Sequence, residues 1–243
     1  QPQKYNREQW RTKLVTAINN SHFKFQWQTV SDLRSEEIIQ RELYCRLNID
    51  DIIVSAAEFM PFIELLSLGG QLDRCLLETI EQQNILALTK QPVAINLTHD
   101  SLQEPEFAQW LTKFLQQSKH TDQMLFEMPE SALISSFEQC QKLTEIIRLS
   151  GAKIGVDQCG RQMGSLDYLQ KIQPHYIKLD QSFAFYEKLD QGNEMCRALI
   201  NVANGLNIDV IITGIENKQQ LQNFTSLRAD GYQGYISVPE DIS

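Results

Sequence analysis

The sequence predicts an α/β fold, a single (β/α)8 TIM-like barrel. Three observations predict it. Short apolar runs alternate with longer amphipathic stretches roughly eight times, and strand–helix alternation implies parallel strands joined by crossover helices. The length, 243 residues, suits one such barrel, which takes about 250. No G-x-G-x-x-G follows any apolar run, which lowers the competing open doubly wound sheet.

Each element has its own signal. Residues 7–19 read as a helix with Trp10, Leu14, Ala17 and Ile18 on one face. In 23–30, Phe23, Phe25 and Trp27 alternate with polar neighbours, the period of a half-buried strand. Ser31 and Asp32 supply a turn, and 37–47 is a second strand. Ser55 and Glu58 have capping-box spacing and open a helix through Phe59, Phe62, Ile63 and Leu66, which Gly69 and Gly70 end. Leu72, Leu76, Ile80 and Leu88 stay in phase over 72–88, a long helix. A strand at 93–97 precedes a helix at 107–115 that carries Trp110, Leu111 and Phe114. Strand 124–128, helix 136–149 closed by Gly151, and strand 153–157 follow. A short helix at 165–171 is stopped by Pro174. Strand 176–179, helix 194–206, strand 210–213, helix 218–224 and a last strand at 234–238 complete the round.

Residues 1–243 thus read as one domain, with 1–20 a helix and linker leading in from a longer parent chain. The chain opens on Gln1 without a secretory leader pattern, so an excised module is expected. No run of eighteen apolar residues predicts a transmembrane helix. Lys and Arg number 22 against 31 Asp and Glu, a net charge of −9. That argues against the basic face which nonspecific nucleic-acid binding needs. No direct RNA binding and no membrane contact are expected from this domain. The cysteines (Cys45, Cys75, Cys140, Cys159, Cys196) are scattered without a C-x-x-C, so neither a disulfide framework nor a zinc site is suggested, and a reducing compartment fits. His22, His99, His120 and His175 share no ligand spacing.

In such a barrel the chemistry sits where the strands end. The ends carry Glu42, Asn96, Glu127, Asp157 with Gln158, Lys178 with Asp180, and Thr213 with Glu216 three further on; Gln233 precedes the last strand. Carboxylate and amide oxygens converging on one rim are hard-cation ligands, suited to Mg²⁺, Mn²⁺ or Ca²⁺.

These residues stand in an ordered series of motifs. Trp27-Gln28-Thr29, Glu42-Leu43-Tyr44-Cys45-Arg46, Glu58-Phe59-Met60-Pro61 and Asn96-Leu97-Thr98 come first. Glu127-Met128-Pro129-Glu130-Ser131, Asp157-Gln158-Cys159-Gly160 and Ile177-Lys178-Leu179-Asp180 follow. Thr213-Gly214-Ile215-Glu216, Asp230 and Gln233-Gly234-Tyr235 close the series. From about Phe23 to Pro239 the chain resembles the EAL domain family of cyclic-di-GMP phosphodiesterases, whose barrel is of this type. The resemblance implies a metal site of Glu42, Asn96, Glu127 and Asp157, here vestigial. It implies a ligand and phosphate site of Gln28, Arg46, Lys178, Asp230 and Gln233. Glu130 and Glu216 would brace loops.

The departures bear on activity. Gln158 stands where the family pattern has the second Asp of Asp-Asp-Phe-Gly, and Thr213 where it has the first Glu of Glu-Gly-Val-Glu. Arg161-Gln162-Met163-Gly164 replaces Thr-Gly-Tyr-Ser, Leu43 replaces a small Ala, and Leu47 replaces a Trp. Two carboxylates fewer leave a pair of dications undercompensated, and water activation needs those ions. The resemblance thus implies a non-enzyme with no catalytic residues and no required cofactor, though residual Mg²⁺ or Mn²⁺ binding is compatible with it. The pattern of departures resembles the degenerate EAL domains of CsrD/MshH-type regulators. Such a resemblance implies a protein-interaction module in RNase E-dependent turnover of Csr small RNAs. It implies the glucose-specific enzyme IIA of the phosphotransferase system, or another protein, as partner. It also implies a place at the C-terminus of an inner-membrane-anchored parent, on the cytoplasmic face. The alternatives are a receptor that binds cyclic-di-GMP without cleaving it and, less favoured, a weak phosphodiesterase.

Overall fold

The computed structural model describes residues 5–162, 165–185, 191–224 and 226–242. The helices are α1 (Arg7–Asn19), α2 (Ala56–Leu65), α3 (Gly69–Gln82), α4 (His99–Gln103), α5 (Pro105–Gln117), α6 (Glu130–Ser135), α7 (Phe137–Leu149), α8 (Asp167–Ile172), α9 (Gln191–Gly205) and α10 (Lys218–Phe224). The strands are β1 (Phe23–Asp32), β2 (Ile38–Ile49), β3 (Ile52–Ser55), β4 (Val93–Asn96), β5 (Met124–Pro129), β6 (Lys153–Cys159), β7 (Tyr176–Leu179), β8 (Asp209–Ile212), β9 (Gly231–Tyr232) and β10 (Glu240–Asp241). Eight strands close a barrel in the order β1, β9, β8, β7, β6, β5, β4, β2 and back to β1. β3 forms an antiparallel hairpin with the C-terminal end of β2, and β10 pairs antiparallel with β1.

Strands β2 and β4 to β9 run parallel around the barrel. β1 does not: it is antiparallel to both of its barrel neighbours, β2 and β9. The expectation of parallel pairing throughout is corrected here. A parallel return needs a crossover of a dozen or more residues, whereas only the short 33–37 segment separates β1 from β2. Asp32 folds that segment back by accepting from the Arg34 and Ser35 N–H groups at 2.8 and 2.7 Å.

Three further boundaries differ from the sequence reading. The last barrel strand is Gly231–Tyr232, not 234–238, because Gly231 and Tyr232 are in register with Ile211 and Ile212. Gln233 therefore follows that strand instead of preceding it, which delivers it to the rim. Gly69 and Gly70 do not end α2; they open α3. A Cβ on Gly69 would lie 2.5 Å from Thr98 Oγ1, and one on Gly70 would lie 2.3 Å from Glu104 Oε2. The glycines are there for close approach to the start of α4 and α5. Finally, 72–88 is not one helix: Asn84 is left-handed and a 3-10 turn covers Ile85–Leu88.

The apolar periodicity is used twice. Helix faces and outward strand residues such as Leu14, Leu47, Phe59, Ile63, Leu77 and Ile80 bury one large core between barrel and helices. Inward strand residues Val30, Ala94, Leu125, Tyr176 and Ile211 form a separate small cluster within the barrel. That plug is the floor on which the polar rim rests. None of the five cysteines forms a disulfide. Among the described residues no helix is long and apolar enough to cross a membrane.

Candidate functional site

The rim is built on strand ends, so each polar group inherits its position from the sheet register. Glu42 on β2 is paired with Gln28 on β1 and with Ala94 on β4. Asn96 on β4 is opposite Glu127 on β5. Asp157 on β6 is opposite Pro129, two residues beyond Glu127 on β5. Lys178 on β7 is 1% exposed, and Glu127 is 0% exposed.

Lys178 organises one half of this rim. Its ammonium donates to Glu42 Oε2 at 2.6 Å and to Glu127 Oε2 at 2.8 Å. Glu42 also accepts from Asn96 Nδ2 and Gln233 Nε2, both at 2.6 Å. Glu127 takes a further bond from the Tyr176 hydroxyl at 2.7 Å. One ammonium cannot neutralise three neighbouring acids away from water, and their proton affinities separate accordingly. Burial pushes Glu127 up to about 8, against the pull of Lys178 and with help from Glu42 and Asp157. Burial also works against ionised Glu42, yet Lys178 and the bonds from Gln233 and Asn96 hold it below the usual carboxylate range. Burial disfavours charged Lys178, but Glu127, Glu42 and Asp157 raise it above an ordinary lysine. Burial raises Asp157 too, with Lys178 opposing.

Sequence reasoning missed Tyr176. It rises from the barrel plug to Glu127, and it fits because its neighbour in register is Gly155. A Cβ on Gly155 would lie 2.4 Å from the Tyr176 ring. A glycine inside an otherwise apolar run, facing a tyrosine, is the signal that could have found the pair.

The other half of the rim is open. A cavity of about 320 Å³ is lined by Gln28, Glu42, Asp157, Gln158, Thr213, Glu216 and Gln233, together with Tyr44, Arg161 and Tyr235 from the quoted motifs and loop, and Phe185, which the sequence did not single out. Gln158 is left-handed and exposed, and its Oε1 accepts from Arg161 at 3.0 Å. The Thr213 hydroxyl donates to the Leu179 carbonyl at 2.6 Å. Gln28 is buried, and its amide donates to the Gly234 and Ser237 carbonyls at 2.8 and 2.6 Å, splinting the turn after β9. Glu216 is exposed at the mouth.

Two of the residues expected at the ligand positions lie elsewhere. Asp230 is not in the cavity: it sits at the entry of β9, where its carboxylate accepts from the Val210 N–H at 2.8 Å. Arg46 stands further along β2, also outside the cavity lining, where its charge adds to the Ser55 hydrogen bonds that lower Glu58. Glu130 is buried under the loop after β6 and accepts from the Gly160 and Gln162 N–H groups and from the Tyr168 hydroxyl. Met163 and Gly164 of that loop lie outside the described residues.

A two-ion centre does not fit this donor set. The Glu42 and Glu127 oxygens are held by Lys178, Asn96, Gln233 and Tyr176, and neutral Gln158 and Thr213 face the other half. Among the described residues no three His, Cys, Asp or Glu side chains are grouped to hold a metal ion.

The EAL domain family model matches residues 11–239. The RNase E specificity factor CsrD of Escherichia coli (strain K12) is 22% identical over 232 residues, which cover 93% of this chain and 35% of that protein. The cyclic di-GMP phosphodiesterase PdeF of the same organism is 23% identical over 232 residues, 92% of this chain and 30% of that protein. The chain thus spans about a third of the length of these relatives. Of solved structures, the Vibrio cholerae LapD S helix-GGDEF-EAL chain bound to c-di-GMP superposes with a TM-score of 0.90 at 26% identity, over 96% of this chain and 58% of that one. The EAL domain of FimX from Pseudomonas aeruginosa, bound to c-di-GMP, shares the fold with a TM-score of 0.85 at 23% identity, over 95% of this chain and 96% of that one.

Proposed function

The chain belongs to the EAL domain family, and from that premise we propose that it is a catalytically inactive member which works as a regulatory protein-interaction module. One observation carries this reading. At the open half of the rim, the two positions where the family pattern places carboxylates hold Gln158 and Thr213, and both side chains are engaged in local hydrogen bonds. Phosphodiester hydrolysis at such a rim needs paired ions to activate water and to clamp the attacking and leaving oxygens. A neutral amide and a hydroxyl supply no base there and no charge to balance a second dication. Any Mg²⁺ or Mn²⁺ bound at Glu42, Asn96, Glu127 and Asp157 is residual on this reading, and none is required.

The wider role follows the relative named an RNase E specificity factor. We place the chain in RNase E-dependent turnover of Csr small RNAs, as the C-terminal part of an inner-membrane-anchored protein facing the cytoplasm. The net charge of −9 supports a protein partner over direct RNA contact. The partner proposed is the glucose-specific enzyme IIA. A pull-down with that protein in both phosphorylation states tests it: capture in at least one state is expected, and capture in neither removes this partner.

A second reading, a non-hydrolysing cyclic-di-GMP receptor, is favoured by the open cavity at the strand ends. Gln28 weighs against it, because its amide is already used on the Gly234 and Ser237 carbonyls. Calorimetry with cyclic-di-GMP, with and without Mg²⁺, separates the two. Submicromolar binding would establish the receptor and sink the interaction-only account.

A further inference from the structure

The side chains around the cavity mouth are of two chemical kinds. Three are aromatic and well exposed, Tyr44 at 36%, Phe185 at 61% and Tyr235 at 73%. The charged lining, among the described residues, is Glu42, Asp157, Asp180 and Glu216 against one cation, Arg161. That cation is turned to the Gln158 amide oxygen. Lys178, which does not line the cavity, pairs with Glu42 and Glu127.

An anion entering this mouth meets carboxylates. A cation meets both carboxylates and aromatic faces, and each attracts it. Tyr235 rides on a turn stitched to the 213–216 loop by the Ile215 N–H on Gln233 and the Ile236 N–H on Ile215. Exposed tyrosines around a concave, partly desolvated centre are the residues that carry binding energy at protein interfaces.

We propose that the barrel mouth receives a basic side chain, lysine or arginine, carried by a partner protein. This deepens the interaction function above and rests on it. The carboxylates supply charge complementarity and the three rings supply the walls.

The test uses the full chain in EDTA with labelled aromatic rings, titrated by nuclear magnetic resonance. The probes are N-acetyl-arginine amide and N-acetyl-lysine amide, with N-acetyl-norleucine amide as the neutral control. A saturable shift of the Tyr44, Phe185 and Tyr235 signals is expected with at least one basic amide and not with norleucine, weakening as salt rises. The Phe185→Ala/Tyr235→Ala double variant should bind at least fivefold more weakly, and Glu216→Gln at least twofold. Both changes are at exposed positions, and a thermal melt checks that each variant folds. An equal response to norleucine amide overturns the proposal. So does a response of the same rings to micromolar cyclic-di-GMP. A second arm repeats the pull-down above with the double variant. Capture by the unaltered chain that is lost in the variant supports the mouth. Capture by both overturns the mouth while the interaction function stands. Capture by neither removes that partner, and the amide titration then decides the mouth by itself.

Discussion

The two halves of the rim differ in what their polar groups face. On one half, Glu42, Glu127, Asn96, Gln233 and Lys178 face one another and satisfy one another. On the other, Gln158, Thr213 and Glu216 line an open mouth, which Glu42 and Gln233 reach from the closed side. The closed half needs no bound group to be satisfied, so it contributes to the fold whether or not it contributes to chemistry. The open half is where the two positions that lack the family's carboxylates, Gln158 and Thr213, fall. A retained acid on this rim is therefore weak evidence of activity, and a lost one on the open side is strong evidence against it.

Variants of the closed half should break this contrast hardest. Lys178→Met leaves two buried carboxylates without their cation and should cost about 3–5 kcal/mol by denaturant unfolding. A loss under about 1 kcal/mol would show that water already reaches the cluster. Gly155→Ala drives a methyl group against the Tyr176 ring and should cost about 1–3 kcal/mol. Pairing it with Tyr176→Phe should not restore stability, since the ring stays and Glu127 loses its donor. A double variant as stable as the original chain would refute that packing account.

A buried acid away from the rim sharpens the comparison. Burial pushes Asp73 up to about 6, although Ser101 and Thr98 donate to it. Its folded form holds the proton more tightly than the unfolded chain. Its contribution to stability is then complete below the ordinary value of 3.8 and is lost as pH rises through about 6. Unfolding at pH 4 and pH 7, compared with Asp73→Asn, should show the unaltered chain losing ground to the variant as pH rises. A difference that stays flat with pH contradicts it. The smallest effect belongs to the open half. Gln158→Gly relieves a left-handed backbone at an exposed site and should be neutral or stabilising by up to about 1 kcal/mol. A clear destabilisation would mean that the Arg161 contact matters more than its exposure suggests.

Much of this was legible because parallel strands state themselves locally. Apolar runs at 93–97, 124–128, 153–157 and 176–179 are buried on both faces, and each ends in a polar group that must go to the rim. The reversal of β1 was legible too, in the shortness of the 33–37 link, but the βα alternation elsewhere overrode it. The final strand was not legible. Gly231 and Tyr232 are a strand only because β8 lies beside them, while the more apolar stretch at 234–238 forms a turn. Asp230 matched a motif, yet it is used on the Val210 backbone. Motif position specified its place in the chain and not the direction of its carboxylate.

The central claim is that this rim no longer cleaves a phosphodiester, and hydrolysis of cyclic-di-GMP by the purified chain with Mg²⁺ or Mn²⁺ tests it most directly. The account predicts no linear dinucleotide above the protein-free control. Turnover at an ordinary enzymatic rate, on the order of 1 s⁻¹ or faster, would contradict it.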